Sequence, residues 1–379
     1  MTDQKQRNPQ GFTRQVAQAM MWGLAAASIA VAGWVEQRSV QAQESEPPKV
    51  VTTILPITQF TRAVAGDRAQ VTPLLPTNVG PHDYQARPED VRLLAQADVL
   101  VINGLEMETF LEGLIANAEN PNLLTIDSSE GIPTLRSQEP KHGHGHGHSH
   151  GHGHSHGHGH SHGHGHSHGH GHSHGHGHGH THGEFNPHIW LDPQRAIQQV
   201  ENIRDGLISV DPQGEEVYRA NAAAFIAELT ALDQEIAAQL APFDGRRFVV
   251  FHDFAPYFAE RYGLKAEFLV EIPEASPSPE DVRRVMNTVQ ESGLRTILVE
   301  PQAGDTNPFQ VLASDLGVEV RVFDPIETSG PEGIEPEYYL TTMRQNVENL
   351  VSAFQAETAF LPSSIPLTAW AEHLPVMAR

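Results

Sequence analysis

Short β-branched runs alternate with stretches of helical apolar spacing along most of this 379-residue chain, and no other feature limits the fold so strongly. Strands that alternate with helices build βαβ units, and those units build parallel sheets. "VVTTILP" (50–56), "AQVTPLLP" (69–76) and "DVLVINGL" (98–105) read as the first strands. Between them, "ITQFTRAVAG" predicts a helix that stops at Gly66. "RPEDVRLLAQA" predicts one that opens at Pro88 with acidic residues in its first turn. Further on, Asp192 can cap a helix that has Pro193 in its first turn.

A long apolar repeat then separates this series from a second one. Tyr218, Ala222, Phe225, Leu229, Leu232, Ile236 and Leu240 recur in steps of three or four. One helix is expected from about Gln213 to Leu240, roughly 28 residues or 42 Å long, enough to run between two lobes. Beyond it, "RRFVVFH", "RTILVEP" and "VEVRVFDP" read as strands. "DFAPYFAERYG", "SPEDVRRVMNTVQESG" and "PEYYLTTMRQNVENLVSAF" read as helices. The expected fold class is therefore α/β: two lobes, each a mainly parallel β-sheet flanked by helices, joined by one long backbone helix. The expected division is 1–42 as an export signal, 43–212 as the N-terminal lobe, 213–241 as the linking helix and 242–379 as the C-terminal lobe.

The export signal rests on Lys5, Arg7 and Arg14, followed by the apolar stretch "AMMWGLAAASIAVAGWV" and the small-x-small pattern in "SVQA", with cleavage expected after Ala42. An uncleaved anchor is the alternative, but that stretch is Ala/Gly-rich and barely long enough to span a bilayer. A soluble, periplasmic protein is expected, and a monomer. With 24 Lys+Arg against 47 Asp+Glu, the net charge is −23, which disfavours nucleic acid and anionic membranes and attracts cations. Cysteine is absent, so disulfides and thiolate metal sites are excluded.

Histidine is where the chemistry lies. Every even-numbered position from His142 to His182 is histidine, 21 of the chain's 25, with Gly, Ser or Thr between. Such a segment cannot build a core, and the loop 141–183 is expected to be disordered, with a root-mean-square span of about 35 Å. Metal binding is its expected role. The other four are His82, His188, His252 and His373. His82 and His252 fall at the carboxyl ends of predicted strands, where open α/β folds bind ligands, and His188 precedes a helix. Glu300 and Asp324 take the same kind of position in the second lobe, whereas His373 lies in a tail without such context. Three neutral imidazoles around one point suit zinc, with a fourth tetrahedral position for a carboxylate such as Asp324 or for water. Copper and nickel also accept imidazole, while manganese prefers more oxygen. Asp83 and Asp253 stand beside two of the histidines and are candidates to fix their ring tautomers.

"GPHDYQARPED", "NPHIWLDP", "FHDFAPYFAERYGL", "LVEPQ" and "FDPIE", in this order and with the long helix between, resemble the metal-binding solute-binding proteins of ABC importers (the cluster A-I family). The nearest branch is the periplasmic zinc-binding, ZnuA-type one, and the resemblance covers about residues 49–355. It implies a metal held between the lobes by His82, His188 and His252, with a fourth ligand that varies: a carboxylate at Asp324, another carboxylate, or water. It also implies a membrane permease as partner, and His rather than Glu at 252 resembles the zinc branch. Two departures are the missing cysteines and a loop that is almost pure His-Gly/Ser. The tract is then an accessory zinc collector, buffer or sensor, weaker per site than the cleft because binding must order it. Rival readings are a periplasmic zinc store or chaperone, a protein for manganese or another divalent metal, and a zinc hydrolase using the same histidines with Glu300 as general base. No HExxH or substrate-recognition motif is present, so an enzyme is not the expected class.

Overall fold

In the computed structural model, residues 46–137, 183–273, 275–301 and 308–359 are described, and Pro48–Arg379 forms one compact unit. The export signal, the histidine tract and the tail with His373 lie outside the described residues. Among the described residues, no helix is long and apolar enough to cross a membrane.

The first lobe is built on four strands, β1 (Lys49–Thr52), β2 (Gln70–Pro73), β3 (Val99–Ile102) and β4 (Leu124–Asp127), in spatial order β2-β1-β3-β4. All pairings are parallel, with Val50 opposite Val71 and Val99, and Leu100 opposite Thr125. Helices α1 (Leu55–Ala65), α2 (Pro88–Ala95) and α3 (Leu111–Ala118) return the chain between successive strands. Val50, Val51, Val99, Leu100 and Val101 are buried, the near-continuous apolar pattern of strands covered on both faces. α1 ends where the sequence suggests: Gly66 has φ 52°, a conformation that costs glycine little.

The second lobe pairs β5 (Arg247–His252) with β6 (Lys265–Val270), and β7 (Thr296–Val299) with β8 (Glu319–Val322), again in parallel. β5 and β7 lie against one another. Two further helices of the chain, α4 (Pro193–Val210) and α5 (Glu215–Leu240), precede this lobe. α6 (Pro256–Arg261), α7 (Pro279–Ser292) and α8 (Pro308–Leu316) connect its strands, and α9 (Pro336–Ala359) closes the described chain.

α5 is the expected long helix, and its 26 residues extend about 39 Å. All seven positions of the apolar repeat are buried, and the helix packs against α4, α1 and α9. The same stripe holds one buried carboxylate, Asp233, which ties the helix to both flanking segments. It accepts from Arg261 at 2.8 and 2.5 Å, from Tyr262 at 3.1 Å and from Gln194 at 3.0 Å. At the start of α4, Asp192 accepts the Gln194 backbone N–H at 2.9 Å with Pro193 in the first turn, the cap read from the sequence.

Candidate metal centre

Four segments deliver one side chain each to a common point. His252 is the last residue of β5, and His82 lies on the connection from β2 to α2. His188 immediately precedes the short 3-10 turn Ile189–Leu191 that leads into α4. Glu327 follows β8 on the way to α9. One nitrogen from each histidine and one oxygen of Glu327 all lie within 4.8 Å of one another. Glu327 Oε1 is 3.0 Å from His188 Nε2, 3.6 Å from His252 Nε2 and 3.8 Å from His82 Nε2, and the Nε2 atoms of His188 and His252 are 3.4 Å apart. Ligands about 2.0–2.1 Å from a tetrahedral zinc are about 3.3 Å from each other, so the donor set is near the required spacing. The side chains of His188 and His252 are fully buried and that of Glu327 is 2% exposed, whereas His82 is 12% exposed and forms the open side. A cavity of about 440 Å³ adjoins His82 and is lined also by Asp83, Glu106, Phe110 and Ile272.

Electrostatics divides the four groups. Burial pushes His188 down to about 4, against the negative charge of Glu327. Burial also acts to lower His252, but the negative charges of Glu300 and Glu327 outweigh it and hold the ring up at about 10. For Glu327, burial alone would raise the pKa. The His252 charge and hydrogen bonding instead hold it well below the ordinary carboxylate value. The pocket therefore sets a buried anion beside a neutral His188 and a protonated His252 whose proton a divalent cation would displace, a donor set suited to such a cation.

The rings are oriented from behind. His188 Nδ1 meets Asn186 Oδ1 at 2.9 Å, and His252 Nδ1 meets Glu300 Oε1 at 2.6 Å. In each ring the other nitrogen, Nε2, faces the shared point. The partner of His252 is thus Glu300, where the sequence pointed to Asp253, and that of His188 is Asn186. Glu300, the general base of the hydrolase alternative, is engaged on the Nδ1 side of His252 rather than facing the Nε2 cluster.

Glu327 stands in this group of four, whereas Asp324, one of the alternatives for the fourth ligand, lies outside it. Its Oδ1 accepts the backbone N–H of Ile326 at 2.7 Å. The Asn346 side chain in turn grips the Asp324 backbone, accepting from its N–H and donating to its carbonyl at 2.7 Å each. Burial pushes the Asp324 carboxyl up to about 6, opposed by the Ile326 N–H. Asp324 shapes the turn, and the turn presents Glu327. The one advance sign of Glu327 was its place in "FDPIE", three residues beyond the strand-end carboxylate.

Two parallel-sheet lobes, spanned by a long helix and contributing side chains to one buried polar pocket, define a solute-binding protein of the transport type. Residues 50–353 match the family described as the periplasmic zinc-uptake complex component A (ZnuA), and the chain belongs to that family. Its members are substrate-binding transport proteins, not enzymes. The zinc-binding lipoprotein AdcA of Streptococcus pneumoniae serotype 4 is 30% identical over 315 residues, which are 82% of this chain and 57% of AdcA. The chain thus spans little more than half the length of that relative. The manganese-binding lipoprotein MntA of Halalkalibacterium halodurans is 26% identical over 328 residues, 86% of this chain and 94% of MntA. The crystal structure of the Zn(II)-bound ZnuA-like domain of S. pneumoniae AdcA matches with a TM-score of 0.61 at 28% identity, covering 81% of this chain and 98% of that domain. By name these relatives are lipoproteins or periplasmic proteins, so they work outside the cytoplasm.

Proposed function

We propose that this chain captures zinc between its lobes, with His82, His188, His252 and Glu327 as ligands, and delivers the ion to a membrane permease of an ABC importer. The observation that carries this reading is the convergence of three Nε2 atoms and one carboxylate oxygen at near-tetrahedral spacing. Three imidazoles to one carboxylate favour zinc over manganese, which takes more oxygen ligands. Names of relatives point both ways, to zinc for AdcA and to manganese for MntA, and the imidazole-rich donor set supports zinc. Residues 1–42 direct export and are removed, leaving a monomer in the periplasm. The histidine tract concentrates or buffers zinc near the cleft, and the acidic charge of the chain assists by attracting cations.

The test is competition against a zinc chelator, and separately against manganese, on the full chain and on a variant lacking residues 142–182. One tight zinc site should survive the deletion, and replacing any of the three cleft histidines by Ala should weaken it strongly. Loss of all tight binding on deletion, with retention in the triple-Ala protein, would reverse the assignment. Deletion of the gene should impair growth in zinc-depleted medium, and added zinc should restore it.

A further inference from the structure

We infer that Asn186 is a positioning residue of the metal site: it fixes the tautomer of His188 and ties the His188 segment to the loop that follows His252. The inference rests on the reading of His188 as a ligand. Asn186 is fully buried, and each of its polar groups has a partner. Its Oδ1 accepts the backbone N–H of His188 at 3.1 Å and faces His188 Nδ1 at 2.9 Å. Its Nδ2 donates to the carbonyl of Asp253 at 2.6 Å, one residue past His252. Its own backbone carbonyl accepts from the Tyr257 hydroxyl at 2.7 Å, and its N–H donates to Leu135 O at 2.9 Å.

These partners settle the chemistry without reference to any hydrogen position. A backbone N–H can only donate and a backbone carbonyl can only accept. The Asn186 amide therefore has one orientation, oxygen toward His188 and nitrogen toward Asp253. An oxygen in that position requires His188 Nδ1 to carry the proton. The neutral ring then presents a bare lone pair at Nε2, 3.0 Å from Glu327 and 3.4 Å from His252 Nε2. Two acceptors, Nε2 and the carboxylate, face each other there, an arrangement that a cation between them converts from repulsion to attraction. A free imidazole has both neutral tautomers available, so a site that must select one loses affinity when its selector is removed. Asn186 is also a bridge. It joins a ligand from the segment leading into α4 to the loop beyond β5, and so sets the spacing of two donors that come from different lobes.

The experiment uses the full chain, with zinc affinity measured by chelator competition, metal-free stability by denaturation, and the His188 ring nitrogens observed by 15N NMR. Wild type should show the Nδ1–H tautomer of His188. Asn186→Ala should lose that preference and weaken zinc binding about 10- to 100-fold. Asn186→Asp keeps an oxygen for His188 Nδ1 but places an anion against the Asp253 carbonyl. It should lower stability yet preserve the tautomer and most of the affinity. A merely structural role would make affinity follow stability in both variants, and that result would overturn the inference. So would an Nε2–H tautomer in the wild-type protein, a measurement that needs no variant to fold. His188→Ala separates the two levels. If it leaves zinc affinity unchanged, the ligand reading fails. If it abolishes tight binding while Asn186→Ala does not weaken it, only the present inference fails.

Discussion

Replacing Glu327 by Gln asks whether the fourth donor is the residue that the geometry singles out. The change keeps shape and volume but removes the one anion facing three imidazoles, at 3.0, 3.6 and 3.8 Å from their Nε2 atoms. Removing a group that only orients a ligand costs about 10- to 100-fold in metal affinity. A direct anionic ligand should cost at least the upper end, about 100-fold or 2.7 kcal/mol. Because ligand binding stabilises the folded state by RT ln(1 + [L]/Kd), the same 2.7 kcal/mol disappears from zinc stabilisation at fixed excess zinc. In a chain of this size that corresponds to about 5 °C less zinc-induced rise in Tm. The assays are chelator competition and scanning calorimetry with and without zinc, both on the protein lacking residues 142–182 so that only the cleft reports. If Glu327→Gln keeps its affinity within about threefold while Asp324→Ala loses it, Asp324 rather than Glu327 is the fourth ligand.

Three further outcomes follow from the same structure. Asp324→Asn should leave zinc affinity nearly intact, because the amide oxygen can still accept the Ile326 N–H, and a loss as large as that of Glu327→Gln would mark Asp324 as a donor. A fall from pH 7.5 to 5.5 should release tract-bound zinc before cleft-bound zinc. Histidine near its reference value of about 6.5 becomes mostly protonated across that range, costing an ion held by three such rings about 1000-fold. In the cleft, His188, which burial holds down to about 4, stays neutral. His252, held up at about 10, carries a proton that zinc must displace at both pH values, which costs about 100-fold over the interval, less than the tract loses. Calorimetry at the two pH values that showed equal losses from both phases would contradict this. Asp233→Asn should lower stability by about 1–2 kcal/mol at pH 7 in urea denaturation. Burial alone would raise the Asp233 pKa, but Arg261, Tyr262 and Gln194 hold it below its ordinary value. Its contribution is therefore present above about pH 3.9 and lost as pH falls through the folded value, so the variant should show a flatter acid limb, and an unchanged one would count against the network.

What the sequence disclosed follows from how local each signal is. The long helix declares itself through an apolar stripe of seven residues, and its burial is complete. Likewise Pro88, Pro193 and Gly66 punctuate helices through their own backbone chemistry, which tertiary context rarely overrides. Elements with mixed signals went unread. β6, "KAEFLV", opens with charged residues at Lys265 and Glu267, and β4 carries Leu124 and Thr125 exposed, so neither has a clean strand pattern. α3, "LEGLIANA", and α8, "PFQVLASDL", are each under ten residues, too short for periodicity to speak clearly. His82 and His252 stood out because α/β folds gather ligands at strand ends, whereas His188, which only precedes a helix, joined them through the family resemblance.

Glu327 defeats the same rule for a physical reason. Asp324 is the carboxylate close to the end of β8, and strand-end logic stops there. The chain then turns through Ile326 at φ 63°, a left-handed conformation that a β-branched residue adopts only under constraint. Such strain costs on the order of 1–3 kcal/mol and persists where neighbours over-determine it. Here Asp324 Oδ1 holds the Ile326 N–H, Asn346 holds the Asp324 backbone, and Trp190 Nε1–H donates to Pro325 O at 2.8 Å. The Ile326 side chain is itself fully buried in the main core. Every part of this strap is distant in sequence except Asp324, so no local reading of "FDPIE" can show that its second carboxylate, rather than its first, turns inward. Trp190 lies two residues from His188, with the two rings 5.1 Å apart, so the residue that braces the Glu327 turn also packs on another proposed ligand. A proposed ligand position that the backbone would not choose unaided is thus maintained by the segment carrying its proposed partner, which couples the two side chains before any ion arrives.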